Sequence, residues 1–303
     1  MFRLIVLLVL LPLVTGSCAP YRFQDKAPSQ VDAVIFSYNR PMQLYALLES
    51  MEKHVRGIYL AHVIYRASDE NYALGYRKVS NRFPHILFHR QSTIAPLLDF
   101  KPLTIASVFA TNTPFVTFIV DDIIVTDDVD LTECTSALEK YNAWGFYLRF
   151  GKNITHSYAR GLFASPPPPG RDTTEGFFIW RFGEGRGDWS WANSLDMAVY
   201  RKSNLKPFIT RDIYNSPNTM EVAWQTHASN PNRSGICFQS SKIINLPLNM
   251  IGSTFTRALK GYPPELLLHK FFQGYKIDIS QFHKIRNRSP HVDYAPTFTL
   301  RDD

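Results

Sequence analysis

The sequence predicts an α/β fold with a mainly parallel central sheet flanked by helices. Two observations carry that expectation. Apolar runs rich in branched and aromatic residues alternate with stretches of helical periodicity along the first half of the chain. Two of those runs, Val31–Phe36 and Phe115–Val120, stop abruptly in polar residues, Ser37-Tyr-Asn-Arg40 and Asp121-Asp122. In an open α/β sheet, polar side chains at the C-terminal ends of strands face the ligand crevice.

The elements follow in order. Residues 1–18 read as a signal peptide or membrane-targeting segment. Met1-Phe-Arg3 gives a positive start, Leu4–Val14 is apolar, and Thr15-Gly-Ser-Cys18 follows. The apolar run falls short of the roughly 20 residues of a spanning helix. The protein is therefore expected to be exported or membrane-associated. Lipoprotein processing at Cys18 is a further expectation, although Thr15 stands where such sites usually carry Leu. Residues 19–30 are polar with two prolines and read as a linker. Residues 31–303 are expected to form one domain with halves at 31–150 and 151–303.

Val31–Phe36 is the first strand, and Pro41 opens a helix at the position where proline is best placed. Leu44, Leu47, Leu48 and Met51 mark that helix's buried face. A strand is expected over Ile58–Tyr65, a helix over Glu70–Arg82 and a short strand over Ile86–His89. Leu103–Ala110 reads as helix, Phe115–Val120 as strand, Asp130–Tyr141 as helix and Ala143–Phe150 as strand. Lys152–Asp188 is rich in Gly, Pro and charge, so it reads as an ordered insertion or a mobile lid. Beyond it, strands are expected over Leu195–Tyr200 and Lys242–Leu246. Helices are expected over Thr219–His227 and over Pro264–Gln273, the latter closed by Gly274.

Composition narrows the classes. The chain of 303 residues can bury one large core. Its net charge of +7 suits anionic partners, but no zinc-finger spacing, basic helix or RNA-binding signature is present, so nucleic acid is not expected. Cys134 and Cys237 lack metal or redox spacing and read as buried thiols, with pairing open in an oxidising compartment.

The strand ends carry the chemistry. Asp121 and Asp122 are adjacent carboxylates that repel unless water or a cation compensates them. A divalent ion bridging to phosphate oxygens would do so; a turn or capping pair is the plainer alternative. Ser37, Tyr38, Asn39 and Arg40 offer groups for a base, a ribose and a phosphate, or ordinary turn chemistry. Asp69, after the second strand, is a ribose or base contact or a loop residue. Trp189-Ser-Trp191 is a stacking floor for a sugar or a core layer. His227, His269, His283 and His291 are candidates to complete a metal site, or solvated and structural histidines.

With those residues in view, the chain resembles glycosyltransferases of the GT-A fold, close to the family-2-like members. The resemblance is carried by Val34-Ile-Phe-Ser-Tyr-Asn-Arg-Pro41 and Thr113-Pro-Phe-Val-Thr-Phe-Ile-Val-Asp-Asp122. Gly145-Phe-Tyr-Leu-Arg-Phe-Gly151, Asn193-Ser-Leu-Asp196 and Asn218-Thr-Met-Glu221 lie where such enzymes carry acceptor-side elements. It implies a nucleotide-diphospho-sugar transferase sandwich, with residues 31–150 as the nucleotide-binding half and 151–303 as the acceptor-side half. By this resemblance Ser37, Tyr38, Asn39, Arg40, Asp69 and Asp121 contact the nucleotide. Asp121 and Asp122 stand at the family's Asp-x-Asp metal motif, but Val120 and Ile123 flank them, so the strict motif is absent.

The implied activity is transfer of a hexose-like sugar from a nucleotide-sugar donor to a hydroxyl of a glycan, lipid or protein acceptor, assisted by Mn²⁺ or Mg²⁺. An inverting enzyme needs a carboxylate to deprotonate the acceptor. Glu221 is the first choice, with Asp196 and Asp188 behind it; a first-turn helix Glu is the alternative. The rival class is a non-catalytic exported glycan-binding or surface-interaction protein on a degenerate GT-A fold.

Overall fold

The computed structural model describes residues 30–158, 162–249 and 261–301. The expected targeting segment, Cys18 and all of the linker but Gln30 lie outside the described residues.

A nine-stranded sheet forms the centre. Its strands, in chain order, are β1 (Val31–Tyr38), β2 (Ile58–Arg66), β3 (Leu87–Arg90), β4 (Phe115–Val120), β5 (Gly145–Tyr147), β6 (Gly170–Asp172), β7 (Phe177–Arg181), β8 (Ala198–Arg201) and β9 (Ser234–Phe238). Their spatial order is β6-β7-β9-β5-β8-β4-β1-β2-β3. β4, β1, β2 and β3 pair in parallel, as do β9 and β5. β8 runs antiparallel to both β4 and β5, and β7 antiparallel to β9 and β6. The sheet is therefore mixed and mostly parallel, as expected.

Helices cover both faces. One face carries α1 (Pro41–His54), α2 (Glu70–Arg82), α4 (Leu131–Lys140) and α7 (Pro264–Phe272), which pack on Ala33, Ile35 and Ile119. The other carries α3 (Pro96–Val108), α5 (Lys202–Arg211) and α6 (Pro217–Ala228), which pack on Val34, Phe36 and Phe118. Coverage on both faces explains why β1 and β4 read as unbroken apolar runs rather than alternating ones. Cys134 and Cys237 are free, buried thiols in the two different cores. The sheet stands between them.

Most expected elements form within a residue or two. α3 begins earlier than Leu103, because Pro96 sits well in its first turn and the helix carries Pro102 in its interior. The segment Lys152–Asp188 is not only loop: β6 and β7 within it extend the sheet. β9 and α5 have no counterpart in the sequence reading; Pro207 inside α5 hides its periodicity.

Trp189 is fully buried and stacks on Phe150 with ring centroids 4.4 Å apart. Its indole N–H donates to the Ile154 carbonyl at 3.3 Å. It belongs to the core layer and cannot be a sugar-facing floor. Trp189→Ala should cost about 3–5 kcal/mol of stability, as large-to-small changes at buried aromatics do. Denaturant unfolding of the two proteins measures it.

Candidate functional site

The C-terminal ends of β1, β2 and β4 open on a cavity of about 350 Å³. Phe36, Ile64, Phe100 and Val120 form its apolar floor, and Ser37, Arg66 and Asp121 lie among its polar lining. The N-terminus of α6 closes one side through Ser216, Asn218 and Thr219. Ser216 and Thr219 cap that helix reciprocally, and Pro217 starts it. The helix dipole at such an end favours an anionic ligand.

The two adjacent aspartates have different environments. The alternation of β4 carries Asp121 toward the α1–α2 side, where it is buried. Its carboxylate accepts from Ser37 Oγ at 2.8 Å, from the Tyr38 N–H at 3.2 Å and from Arg40 Nη1 at 2.9 Å. Ser37 Oγ in turn lies 2.7 Å from the Tyr76 hydroxyl, which accepts from the Arg40 N–H at 3.1 Å. Burial outweighs Arg40 and raises the Asp121 carboxyl above its usual range, with Asp122 adding to the rise. Arg40 also donates through Nε to Asn249 Oδ1 at 2.8 Å and through Nη2 to the Asn249 carbonyl. Asp121 and Arg40 therefore satisfy each other at the floor of the crevice.

Asp122 is the more open of the pair. Its Oδ2 lies 3.7 Å from Arg40 Nη1, and its Oδ1 accepts from Asn245 Nδ2 at 3.3 Å. The same Nδ2 donates to Asp196 Oδ1 at 3.1 Å. Asp196 then pairs with the buried Arg149, Oδ2 to Nη1, at 2.8 Å. Asn245 Oδ1 and the Nε and Nη2 of Arg149 are buried without partners.

Glu221 closes the row. Its Oε1 accepts from the Leu195 N–H at 3.2 Å. Burial first, then the charge of Asp196, pushes its carboxyl up to about 7, against the opposing pull of Arg149, the Leu195 N–H and Trp191. Met197, next to Asp196, holds φ at 51° in the left-handed region that a bulky residue rarely adopts. Such strain concentrates where a neighbouring side chain must be aimed.

Asn39 is also left-handed, with φ 53°. Its side chain is tied to the next loop, Nδ2 donating to Ser68 Oγ at 2.8 Å and Oδ1 accepting from the Ser68 N–H at 2.9 Å. Asp69 caps α2, accepting from Asn71 N–H at 2.8 Å and Tyr72 N–H at 3.1 Å. Tyr38 packs under Arg66, whose guanidinium carbon is 4.7 Å from its ring centre.

The crevice thus gathers Ser37, Tyr38, Arg40 and Asp121, and the row beside it runs from Asp122 to Asp196 and Glu221. Of the late histidines, His227 pairs with Asp212 and His283 stacks on His54, while His291 stacks on Tyr158 and its backbone bridges that of Asn245 in the row. Among the described residues no group of three or more His, Cys, Asp or Glu could hold a metal ion. Sequence reasoning gave no role to Asn245 or Asn249, and took in Arg149 only as part of the Gly145–Gly151 segment. The two asparagines in the apolar run Ile243-Ile-Asn-Leu-Pro-Leu-Asn249 were the available signal.

No family model matches the chain. In sequence it is similar to the bifunctional glycosyltransferase pgtA of Dictyostelium discoideum, 25% identical over 213 residues. That match takes in 62% of this chain and 27% of that protein, so the chain spans about a quarter of the curated relative's length. The relative falls in the class that the strand-end motifs resemble. Among solved structures, S. aureus TarS 1-349 overlaps 69% of this chain and 58% of its own, at 13% identity and a TM-score of 0.44. The mannosyltransferase PcManGT from Pyrobaculum calidifontis, in complex with GDP-Man and Mn²⁺, overlaps 72% and 56%, at 10% identity and a TM-score of 0.35.

Arg40→Ala would leave Asp121 buried and uncompensated, so it should cost about 3–5 kcal/mol. Asp122→Asn should change stability far less. Denaturant unfolding of both variants separates the structural carboxylate from the open one.

Proposed function

We propose that this protein is a glycosyltransferase that moves a sugar from a nucleotide-sugar donor to a hydroxyl of a glycan, lipid or protein acceptor. The observation that carries the reading is Glu221, a carboxyl held near 7 at the end of a row that leads through Asp196 and Asn245 to Asp122. A general base works best with a pKa near the working pH. The sequence likeness to a glycosyltransferase supports the class.

In this reading the cavity takes the nucleotide. Its apolar floor receives the base, and the polar strand ends and the α6 N-terminus face the phosphates. Ser37, Tyr38 and Arg66 are at hand for the nucleoside, while Asn39, Arg40 and Asp69 act mainly by holding the loops in place. Glu221 would take the proton of the acceptor hydroxyl as it attacks the sugar's anomeric carbon. Asp196, paired with Arg149, would keep Glu221 basic enough to do so.

The residues present fit a divalent ion held chiefly by donor phosphates. Asp121 is fully engaged, so Asp122 would be its protein ligand, and Mg²⁺ needs only one or two carboxylates beside phosphates. When bound, such an ion neutralises charge on the departing diphosphate. A non-catalytic glycan-binding protein would not need an acid held near 7 beside the crevice.

Thermal-shift titration with a panel of nucleoside diphosphates, with and without Mn²⁺, tests the donor site. Stabilisation that needs the metal and is lost in Asp122→Ala is expected. No stabilisation by any nucleotide would remove the donor assignment. Glu221→Gln should lower kcat by about 10²–10⁴ while nucleotide binding survives.

The sign of the pH effect is fixed by the same group. Glu221 has an ordinary value of 4.5 and a folded value of about 7, so the folded state holds its proton more tightly. Wild type should therefore lose stability relative to Glu221→Gln as pH rises from 4.5 through 7, and activity should rise over the upper part of that range. Unfolding midpoints across pH check the first trend, and kcat/KM profiles the second.

A further inference from the structure

The rim of the cavity carries apolar side chains that sugar transfer does not require. Ile94 is 94% exposed, Leu98 76% and Leu97 50%, at the start of α3. Across the mouth, beside Tyr214 and Asn215, Ile213 is 91% exposed. Leu97 and Asn215 both line the cavity, so the two groups flank one opening. α3 and the Ile213 loop are locked together: Lys101 Nζ donates to the Asp212 carbonyl at 2.8 Å, and Phe100 packs edge-on against Tyr214 at 6.0 Å. The spikes thus sit on a rigid base.

Their charged neighbours are basic. Lys206 and Arg211 are exposed on α5, and Lys101 is half-buried beneath Leu97 and Leu98. The nearby acids are turned inward: Asp99 accepts from the Ser92 N–H, and Asp212 pairs with His227.

We propose that this rim docks on the surface of an anionic lipid bilayer, with Ile94, Leu98 and Ile213 inserted at headgroup depth and Lys206 and Arg211 against the lipid charges. Separate apolar tips ringed by cations match an interfacial anchor, whose binding adds buried apolar area to attraction for anionic lipid. A standard protein interface engages roughly 20–30 residues a side, and four projecting side chains fall far short of that. Docked this way, the cavity would open toward the membrane, and a hydroxyl presented at the bilayer surface would be the acceptor within reach. The docking itself stands whether or not the cavity takes a nucleotide.

The test is co-sedimentation of the full chain with vesicles of phosphatidylcholine alone and of phosphatidylcholine mixed with phosphatidylglycerol. The Ile94→Asp/Ile213→Asp double variant is run alongside. Both proteins keep the leader, so its contribution is common to them. The expected result is preferential binding to the anionic vesicles, weakened by salt and reduced roughly tenfold or more in the variant. The variant should keep the wild-type thermal midpoint, because both positions are exposed. Equal binding by the two proteins would overturn the proposal, since the leader or bulk charge would then account for it. So would no binding by either, or a concentration-dependent dimer in light scattering that the variant abolishes. Nucleoside diphosphate stabilisation of the variant, measured in parallel, reports on the cavity separately.

Discussion

The buried pair of Arg40 and Asp121 is the contact on which the crevice depends. It joins the end of β1 to the end of β4 at 2.9 Å. Through Tyr76 it reaches α2, and through Asn249 it reaches a segment over two hundred residues away in sequence. Its net worth to stability is small, since desolvating two charges consumes most of their attraction. Its effect is geometric. Ser37, the Tyr38 N–H and Arg40 all converge on one carboxylate, so the strand ends cannot move independently. Asp122 is left the less buried of the two carboxylates.

From Asp122 the polar row continues to Asp196 and Glu221. Asn245 is its hinge. One amide nitrogen serves two carboxylates, and the amide cannot be turned over without setting its oxygen against both acids. Asn245 is placed by backbone pairing: Ile243–Asn245 runs antiparallel to Ile123–Val125, and the Leu246 N–H donates to the Asp122 carbonyl at 2.7 Å. The strand that follows the aspartates is thus the one that recruits their partner.

The part of this site built on β1, β2 and β4 was legible in sequence. Apolar runs that break into polar residues mark strand ends whatever the rest of the chain does, and Val31–Tyr38 and Phe115–Val120 formed as expected. The division of labour between Asp121 and Asp122 was not legible. It depends on which side of β4 meets Tyr76 and Arg40, and that is a tertiary fact. Asn39 and Asp69 show the converse: they sit at strand ends as expected, yet their side chains are spent on Ser68 and on the cap of α2. Arg149 lies just past β5, buried beneath Asp196, in a segment the resemblance marked as a whole without pointing to this residue. Trp189 and Trp191 look equivalent in sequence, but one lies in the core and the other touches Glu221.

Charge counting along the row accounts for the raised Glu221 carboxyl. Asp121, Asp122, Asp196 and Glu221 face two guanidiniums, Arg40 and Arg149. Were all four acids ionised, two fixed cations would leave an excess of negative charge that burial makes expensive. Asp196 holds Arg149 directly, at 2.8 Å, and Asp121 holds Arg40, whereas Glu221 bonds a backbone N–H and Trp191 and feels Arg149 only through its charge. Burial and the charge of Asp196 therefore hold the Glu221 carboxyl above its ordinary range. A donor diphosphate would add negative charge to the same row and push Glu221 higher still, away from the state a base requires. Asp122 would be the residue to hold an ion that offsets such charge, and Asn245, whose Nδ2 donates to both Asp122 and Asp196, links the two ends of the row.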